Sequence, residues 1–311
     1  MTPILIITFN RPDSFSKLIT ALSKIRPEIV RIAIDGPRQN NETDKVKIEK
    51  IKEIIKDISW TRNIETTYSP INQTTRFSIP NAVNWVFEDF DSVIVIEDDV
   101  IPGIKLIEFL EKCLIKFKNN DSVAHISGYN TVPERYISNG SLVRKSIFPE
   151  SYVWATWRNR WKIYNDDINP KKLKRILLHN DQISIYGKKS WIREFKNTEQ
   201  NLINSWAYRW TASIWENYMF CITPNVNLVE YTGTNNGSNT FTKQRWSEVE
   251  IYEKEIPDEK ILLLEDKVAE QWNSKNVFRD DAKDLFVLYL ITFALYLRKI
   301  KTKFKKFWDK K

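Results

Sequence analysis

The segment Val93-Ile94-Val95-Ile96-Glu97-Asp98-Asp99 decides the fold class. Four consecutive β-branched apolar residues read as a strand with both faces covered, the pattern of a parallel sheet between helical layers. Upstream, Pro80 to Phe87 reads as helix; downstream, Ile107, Leu110, Leu114 and Phe117 give the next helix a buried stripe. The chain's start repeats the alternation. Ile4 to Thr8 is a strand, and Asp13 then caps a helix with Phe15, Leu18, Ile19, Leu22 and Ile25 on one face. Val30 to Ile34 is a second strand, Ile51, Ile54, Ile55 and Ile58 mark a second helix, and Ile64 to Tyr68 is a third strand. Strands alternating with helices over residues 1–130 predict a Rossmann-like α/β domain, with a mostly parallel central sheet and helices on both faces. Ligands of such sheets bind beyond the carboxyl ends of the strands.

Composition narrows the function classes. A chain of 311 residues, 42% hydrophobic, builds a real core. Cys113 and Cys221 form no stapling framework and no CxxC, which fits a reducing cytosol, and the opening residues lack the pattern of a secretory signal. The pI of 9.2 is concentrated in one place. From Arg298 to Lys311 stand eight basic residues and one acid, +7 of the total +8, so the preceding residues carry about +1 and make no nucleic-acid groove. No GxGxxG follows the first strand and no GxxxxGK[ST] occurs, so dinucleotide and P-loop readings fail.

Three carboxylates in a row at a strand exit repel one another unless a positive group shares the site. Oxygen ligands suit Mg²⁺ or Mn²⁺, and with only His125 and His179 in the chain zinc is disfavoured. Asp99 is the expected metal ligand. Strand alternation places Glu97 and Asp99 on one face and Asp98 on the other, toward a ribose or a second metal oxygen. The competing reading is a solvated acidic turn favoured by the dipole of the following helix. At the same sheet edge, the first strand runs into Phe9-Asn10-Arg11-Pro12 and the second into Asp35-Gly36-Pro37. Phe9 would lie against a base, Asp35 would accept from a pyrimidine N–H, and Arg11 would pair with phosphate or hold Asp35. Taken singly, each is ordinary turn or surface chemistry.

In order along residues 3–240, Ile-Thr-Phe-Asn-Arg-Pro, Ile-Asp-Gly-Pro, Val-Ile-Glu-Asp-Asp, Tyr152-Val153-Trp154-Ala155-Thr156-Trp157 with Arg160-Trp161, and Asn204-Ser205-Trp206-Ala207-Tyr208-Arg209-Trp210 resemble bacterial GT-A glycosyltransferases. These are similar to the N-acetylglucosaminyltransferase I-like family, the enzymes that start complex N-glycans. The resemblance implies a GT-A fold and a sugar-nucleotide donor, usually UDP-linked. It also implies Mn²⁺ or Mg²⁺ on Asp99, nucleotide contacts from Arg11, Asp35 and Arg76, and a donor-sugar contact from Glu97. Relatives place their catalytic Asp around the positions of Asn204 and Ser205, where neither side chain here is a base. Where relatives often carry a His, this chain has Asn239.

Trp154, Trp157 and Trp206 are candidates to stack on acceptor sugars, whereas Trp210 and Trp215 read as packing. Leu285 to Leu297 is too short to cross a bilayer. Beyond it Ile300, Phe304, Phe307 and Trp308 share a helical face opposite lysines, an interfacial pattern. The expected organisation is a catalytic domain over 1–250, with a nucleotide-sugar half to about 130 and an acceptor half after it, followed by a basic, membrane-associating helical segment over 251–311. The expected activity is transfer of a sugar to a glycan or lipid-linked acceptor in surface polysaccharide synthesis, in the cytoplasm at the inner face of the plasma membrane. The alternatives are a degenerate domain that binds glycan or nucleotide, and a sugar nucleotidyltransferase.

Overall fold

A computed structural model describes residues 2–232, 249–278, 286 and 289–298. The first half alternates as β1 (Ile4–Thr8), α1 (Pro12–Ile25), β2 (Ile29–Ile34), α2 (Glu42–Lys56), β3 (Asn63–Tyr68), α3 (Thr74–Asp89) and β4 (Ser92–Glu97). Then come β5 (Val100–Pro102), α4 (Leu106–Phe117), β6 (Val123–Ser127), β7 (Val143–Ser146) and β8 (Val153–Trp157). The second half continues with α5 (Arg158–Trp161), α6 (Pro170–Leu178), α7 (Ile185–Glu199), α8 (Trp206–Glu216), β9 (Phe220–Pro224), β10 (Val229–Tyr231), β11 (Leu264–Glu265) and α9 (Lys267–Val277).

Among the described residues nine strands form one sheet in the order β11-β7-β9-β6-β8-β4-β1-β2-β3. The block β4-β1-β2-β3 is wholly parallel, as read from the sequence. The strand β8 enters antiparallel between β4 and β6, and β7 runs antiparallel to β9, so the sheet is mostly rather than entirely parallel. From β1 the chain winds outward through β2 to β3, then returns to lay β4 on β1's other side. The gap beyond β1 and β4 is therefore the topological switch point, where open α/β sheets leave a crevice.

Side-chain alternation divides the core. Ile4, Ile6, Ile94 and Ile96 pack on one face with Phe15, Leu18 and Leu22 of α1, Ile48 and Ile51 of α2, and Phe109 and Leu110 of α4. Leu5, Val93 and Val95 pack on the other with Val83 and Val86 of α3 and an aromatic layer from α5, α7 and α8. Helices on both faces follow from strands without a polar side.

Two local expectations change. Asp13 does not cap α1: the helix begins at Pro12 with Arg11 in the cap position, because proline's fixed φ and missing N–H suit a first helical residue. The division near residue 250 does not fall at a break in packing. The strand β11 extends the main sheet against β7, and Ile256, Ile261 and Ala269 are fully buried. Buried Arg144 of β7 donates to Glu270 of α9 at 3.2 Å. Among the described residues no helix is long and apolar enough to cross a membrane. Asn239 and the stretch Ile300 to Trp308 lie outside the described residues.

Candidate functional site

Three strand ends are stitched together at the switch point. The Asp35 amide, just past β2, donates to the Thr8 carbonyl at 3.0 Å. The Thr8 hydroxyl donates to Asp98 Oδ2 at 2.7 Å, and the Phe9 amide reaches the same oxygen at 3.3 Å. Arg11 then straddles the aspartates, its Nη1 lying 3.3 Å from Asp98 Oδ1 and 3.2 Å from Asp99 Oδ2. Thr8, Asp98 and Asp99 are buried.

Asp98 does not point away from Asp99. The strand β4 ends at Glu97 and the chain turns, so the two-residue alternation stops applying and both aspartates meet Arg11. Nor does Arg11 hold Asp35. That carboxylate accepts from the Gly36 and Gln73 amides, each at 2.9 Å, and from Asn72 Nδ2 at 2.9 Å.

The aspartates differ in what they lack. Asp98 has a donor on each oxygen, whereas Asp99 Oδ1 is buried with no hydrogen-bond partner among the described residues. Burial and then the charge of Asp98 push Asp99 up to about 6 against the opposing pull of Arg11. Burial, followed by Asp99 and Asp98, raises Glu97 well above the usual glutamate range. Burial likewise raises Asp98, opposed by Arg11 and Thr8. Among the described residues one guanidinium faces these three carboxylates in a low-dielectric site, fewer positive charges than negative. Among the described residues no three His, Cys, Asp or Glu side chains converge as a metal cage. A cation here would have Asp99 as its protein ligand and would draw the rest of its shell from ligand oxygens and water.

Beside the cluster, at the ends of β2 and β3, a cavity of about 190 Å³ is walled by Ile7, Asp35, Tyr68, Gln73, Asn81 and Trp85, among others. Burial, the largest influence, raises the Asp35 carboxyl, partly offset by the Gln73 and Gly36 amides. Phe9 is not in the wall; the Arg38 guanidinium sits 5.6 Å from its ring centroid. Gly36 is required by proximity, since a Cβ there would stand 2.5 Å from the Ile71 backbone. That close approach brings Asn72 and Gln73 to Asp35, contacts with no sequence signature because their partner lies 37 and 38 residues away.

Other expected contacts are occupied by the protein itself. Arg76 pairs through Nε and Nη2 with Asp166 and also reaches Asn201, so its guanidinium is turned from the nucleotide side toward the second half. Trp154, Trp157 and Trp206 are 0%, 4% and 3% exposed and cannot offer a ring face to an acceptor. Trp154 stacks on Trp206 at 5.2 Å and on His125 at 5.3 Å. Trp210 Nε1 donates to His125 Nδ1, so the imidazole Nε2–H donates to the Glu150 carbonyl; burial holds His125 neutral, its pKa lowered to about 3. Asn204 Nδ2 donates to Thr74 Oγ1 at 2.8 Å, placing the start of α8 against the start of α3. Thr74, a β-branched residue, is held there at φ 63°, a strained backbone next to a residue that binds Asp35. Ser205 stands at the α8 cap position without a side-chain cap bond.

No protein-family profile matches the chain, and no curated protein matches it. Among solved structures it is similar to 4-diphosphocytidyl-2C-methyl-D-erythritol synthase from Anaerococcus prevotii, at 12% identity and TM-score 0.32 over 63% of this chain and 82% of that one. It is also similar to mouse xyloside xylosyltransferase 1 in its apo form, at 8% identity and TM-score 0.33 over 69% and 81%. Likeness at this level carries no argument about the reaction.

Proposed function

We propose that the chain is a glycosyltransferase that moves a sugar from a nucleoside-diphosphate donor, with a divalent cation held by Asp99. The observation that carries this reading is the unpartnered Asp99 Oδ1, buried at the switch point next to Asp98 and Arg11. Two strand spacings away, about 10 Å, Asp35 sits in a cavity with its Oδ2 accepting from Asn72 Nδ2. That oxygen has capacity for one more donor, such as a base N–H. A nucleotide lying across the ends of β2, β1 and β4 would put its base at Asp35 and its phosphates at Asp99.

Mn²⁺ or Mg²⁺ bound there would neutralise charge on the departing diphosphate. Asp98, fixed by Thr8, Phe9 and Arg11, keeps the turn that aims Asp99. Glu97, with its raised pKa, is suited to hydrogen bonding with a donor-sugar hydroxyl. The resemblance to the GT-A enzymes makes a UDP-linked donor and a glycan or lipid-linked acceptor the finer form of this proposal, within surface polysaccharide synthesis.

A second reading, nucleotide binding without turnover, is favoured by Asn204 and Ser205, since neither is a base at neutral pH. The test is nucleoside-diphosphate release from a panel of nucleotide sugars with Mn²⁺ or Mg²⁺, run beside Asp99→Ala. Cation-dependent release that Asp99→Ala abolishes supports transfer. Thermal stabilisation without release would favour the binding reading, and pyrophosphate release from a nucleoside triphosphate would replace it with nucleotidyl transfer.

A further inference from the structure

Residues 289–298 form a helix that lies against α7 through Thr292, with Ile291 and Leu295 half-buried on the same side. Thr292 Oγ1 accepts from Arg193 Nε and from Asn197 Nδ2, both at 2.9 Å. The Arg193 guanidinium also lies 3.6 Å from the Tyr289 ring centroid. The side turned away is apolar as well. Phe286, Leu290, Phe293 and Leu297 recur at helical spacing and are 65%, 55%, 63% and 50% exposed. The helix is apolar on both sides, so a second apolar stripe is left uncovered beyond the one turned toward α7.

The surroundings say what the stripe faces. Tyr186, Lys189, Arg193 and Lys196 recur at i, i+3, i+7 and i+10, which puts the exposed lysines on the α7 stripe that receives the helix. From Lys171 to Lys196 there are eight Lys or Arg and two acids, a local excess of +6 hidden by the near-neutral average of residues 1–297. Leu178, Ile185 and Tyr186, at the junction of α6 and α7, add exposed apolar area at 55%, 57% and 42%. The run from Arg298 to Lys311 adds its +7 directly after the stripe. Outward aromatic and aliphatic side chains flanked by lysines suit the headgroup boundary of an anionic bilayer, where apolar groups insert shallowly and each base gains from the surface potential.

The geometry points to helix 289–298 and the basic face of α6–α7 as a single membrane-docking surface for an anionic lipid leaflet, with Phe286, Leu290, Phe293 and Leu297 as the inserted groups. This is independent of the transfer reading and stands or falls on lipid binding alone.

The test is flotation of the full chain with phosphatidylcholine vesicles and with vesicles containing phosphatidylglycerol. The protein should float with the anionic vesicles. Leu290→Glu combined with Phe293→Glu should lower partitioning at least ten-fold, and Lys189→Glu combined with Lys196→Glu should lower it about five-fold per lysine charge removed. Unchanged thermal melts of both variants establish that the fold is intact, as expected for exposed positions. Binding to neither vesicle would overturn the proposal. So would a concentration-dependent dimer abolished by Leu290→Glu with Phe293→Glu, which would assign the stripe to a second copy of the chain.

Discussion

The Thr8 hydroxyl donates to Asp98 Oδ2 across 2.7 Å, tying the end of β1 to the turn after β4. Asp98 is thereby a positioning residue for Asp99, because the turn joining the two aspartates is what this bond fixes. Thr8→Val keeps the side chain's shape and leaves that oxygen with only the longer Phe9 amide contact. Losing a buried charged hydrogen bond costs about 1–3 kcal/mol. Chemical denaturation should show that loss with an unchanged m-value.

Asp98 and Asp99 should respond in opposite directions. Asp98→Ala removes the acceptor for Thr8, Phe9 and Arg11 and should destabilise by about 2 kcal/mol. Asp99→Asn relieves a buried, half-unpartnered carboxylate and the repulsion of its neighbour. Its melting temperature without added cation should equal or exceed the parent's, while cation-dependent turnover falls about a hundred-fold or more. A melting temperature for Asp99→Asn well below the parent's would identify Asp99 as a structural residue.

Gly36→Ala tests whether the Asp35 pocket depends on the close approach of two loops. The added methyl meets the Ile71 backbone, so the loop carrying Asn72 and Gln73 must move away from Asp35. Overpacking of this kind costs about 1–3 kcal/mol. Nucleotide affinity, measured by calorimetry, should fall by more than the same methyl at solvent-facing Gly140, where a Cβ has nothing within 4 Å.

What was legible in the sequence follows the range of the interactions. The parallel block β3-β2-β1-β4 was readable because apolar runs and helical stripes are local patterns, and Arg11, Asp35 and Asp99 could be placed at one sheet edge because each follows such a strand. The antiparallel entry of β8 was not, since Val153 to Trp157 reads as an apolar strand whichever neighbours it takes. The place of residues 251–278 depends on Glu270 meeting Arg144, a pairing 126 residues apart. Trp154 and Trp206 looked like sugar platforms because sequence does not distinguish a stacked core indole from an exposed one.

Arg76 shows the same limit and yields its own prediction. Asp166 pairs with both Arg76 and the buried Arg209, so it is the hub of the contact between α3 and α8. Arg76→Ala should lower stability by about 1–2 kcal/mol and leave nucleotide affinity unchanged. Asp166→Ala leaves Arg209 without its carboxylate and should cost more, about 3 kcal/mol. A double-mutant cycle by denaturation checks the coupling. Nucleotide affinity lost in Arg76→Ala with stability retained would restore Arg76 to the binding site.

Glu150 sets a pH dependence away from the candidate site. It is buried, its Oε1 accepts from Asn273 Nδ2 at 2.9 Å, and the Tyr129 hydroxyl hydrogen-bonds to its carboxyl. Burial, opposed by Arg144 and reinforced by Glu270, raises its carboxyl to about 7. A folded-state value above the unfolded one means that the native chain holds the proton longer. Its contribution is therefore full below about pH 4.5, falls as pH rises toward 7 by at most about 1.4 kcal/mol per unit, and is constant above that. Glu150→Gln mimics the protonated acid and keeps an acceptor for Asn273. Melts from pH 5 to pH 8 should show the variant gaining on the parent as pH rises, and a parent with the same pH slope as Glu150→Gln would rule out this origin.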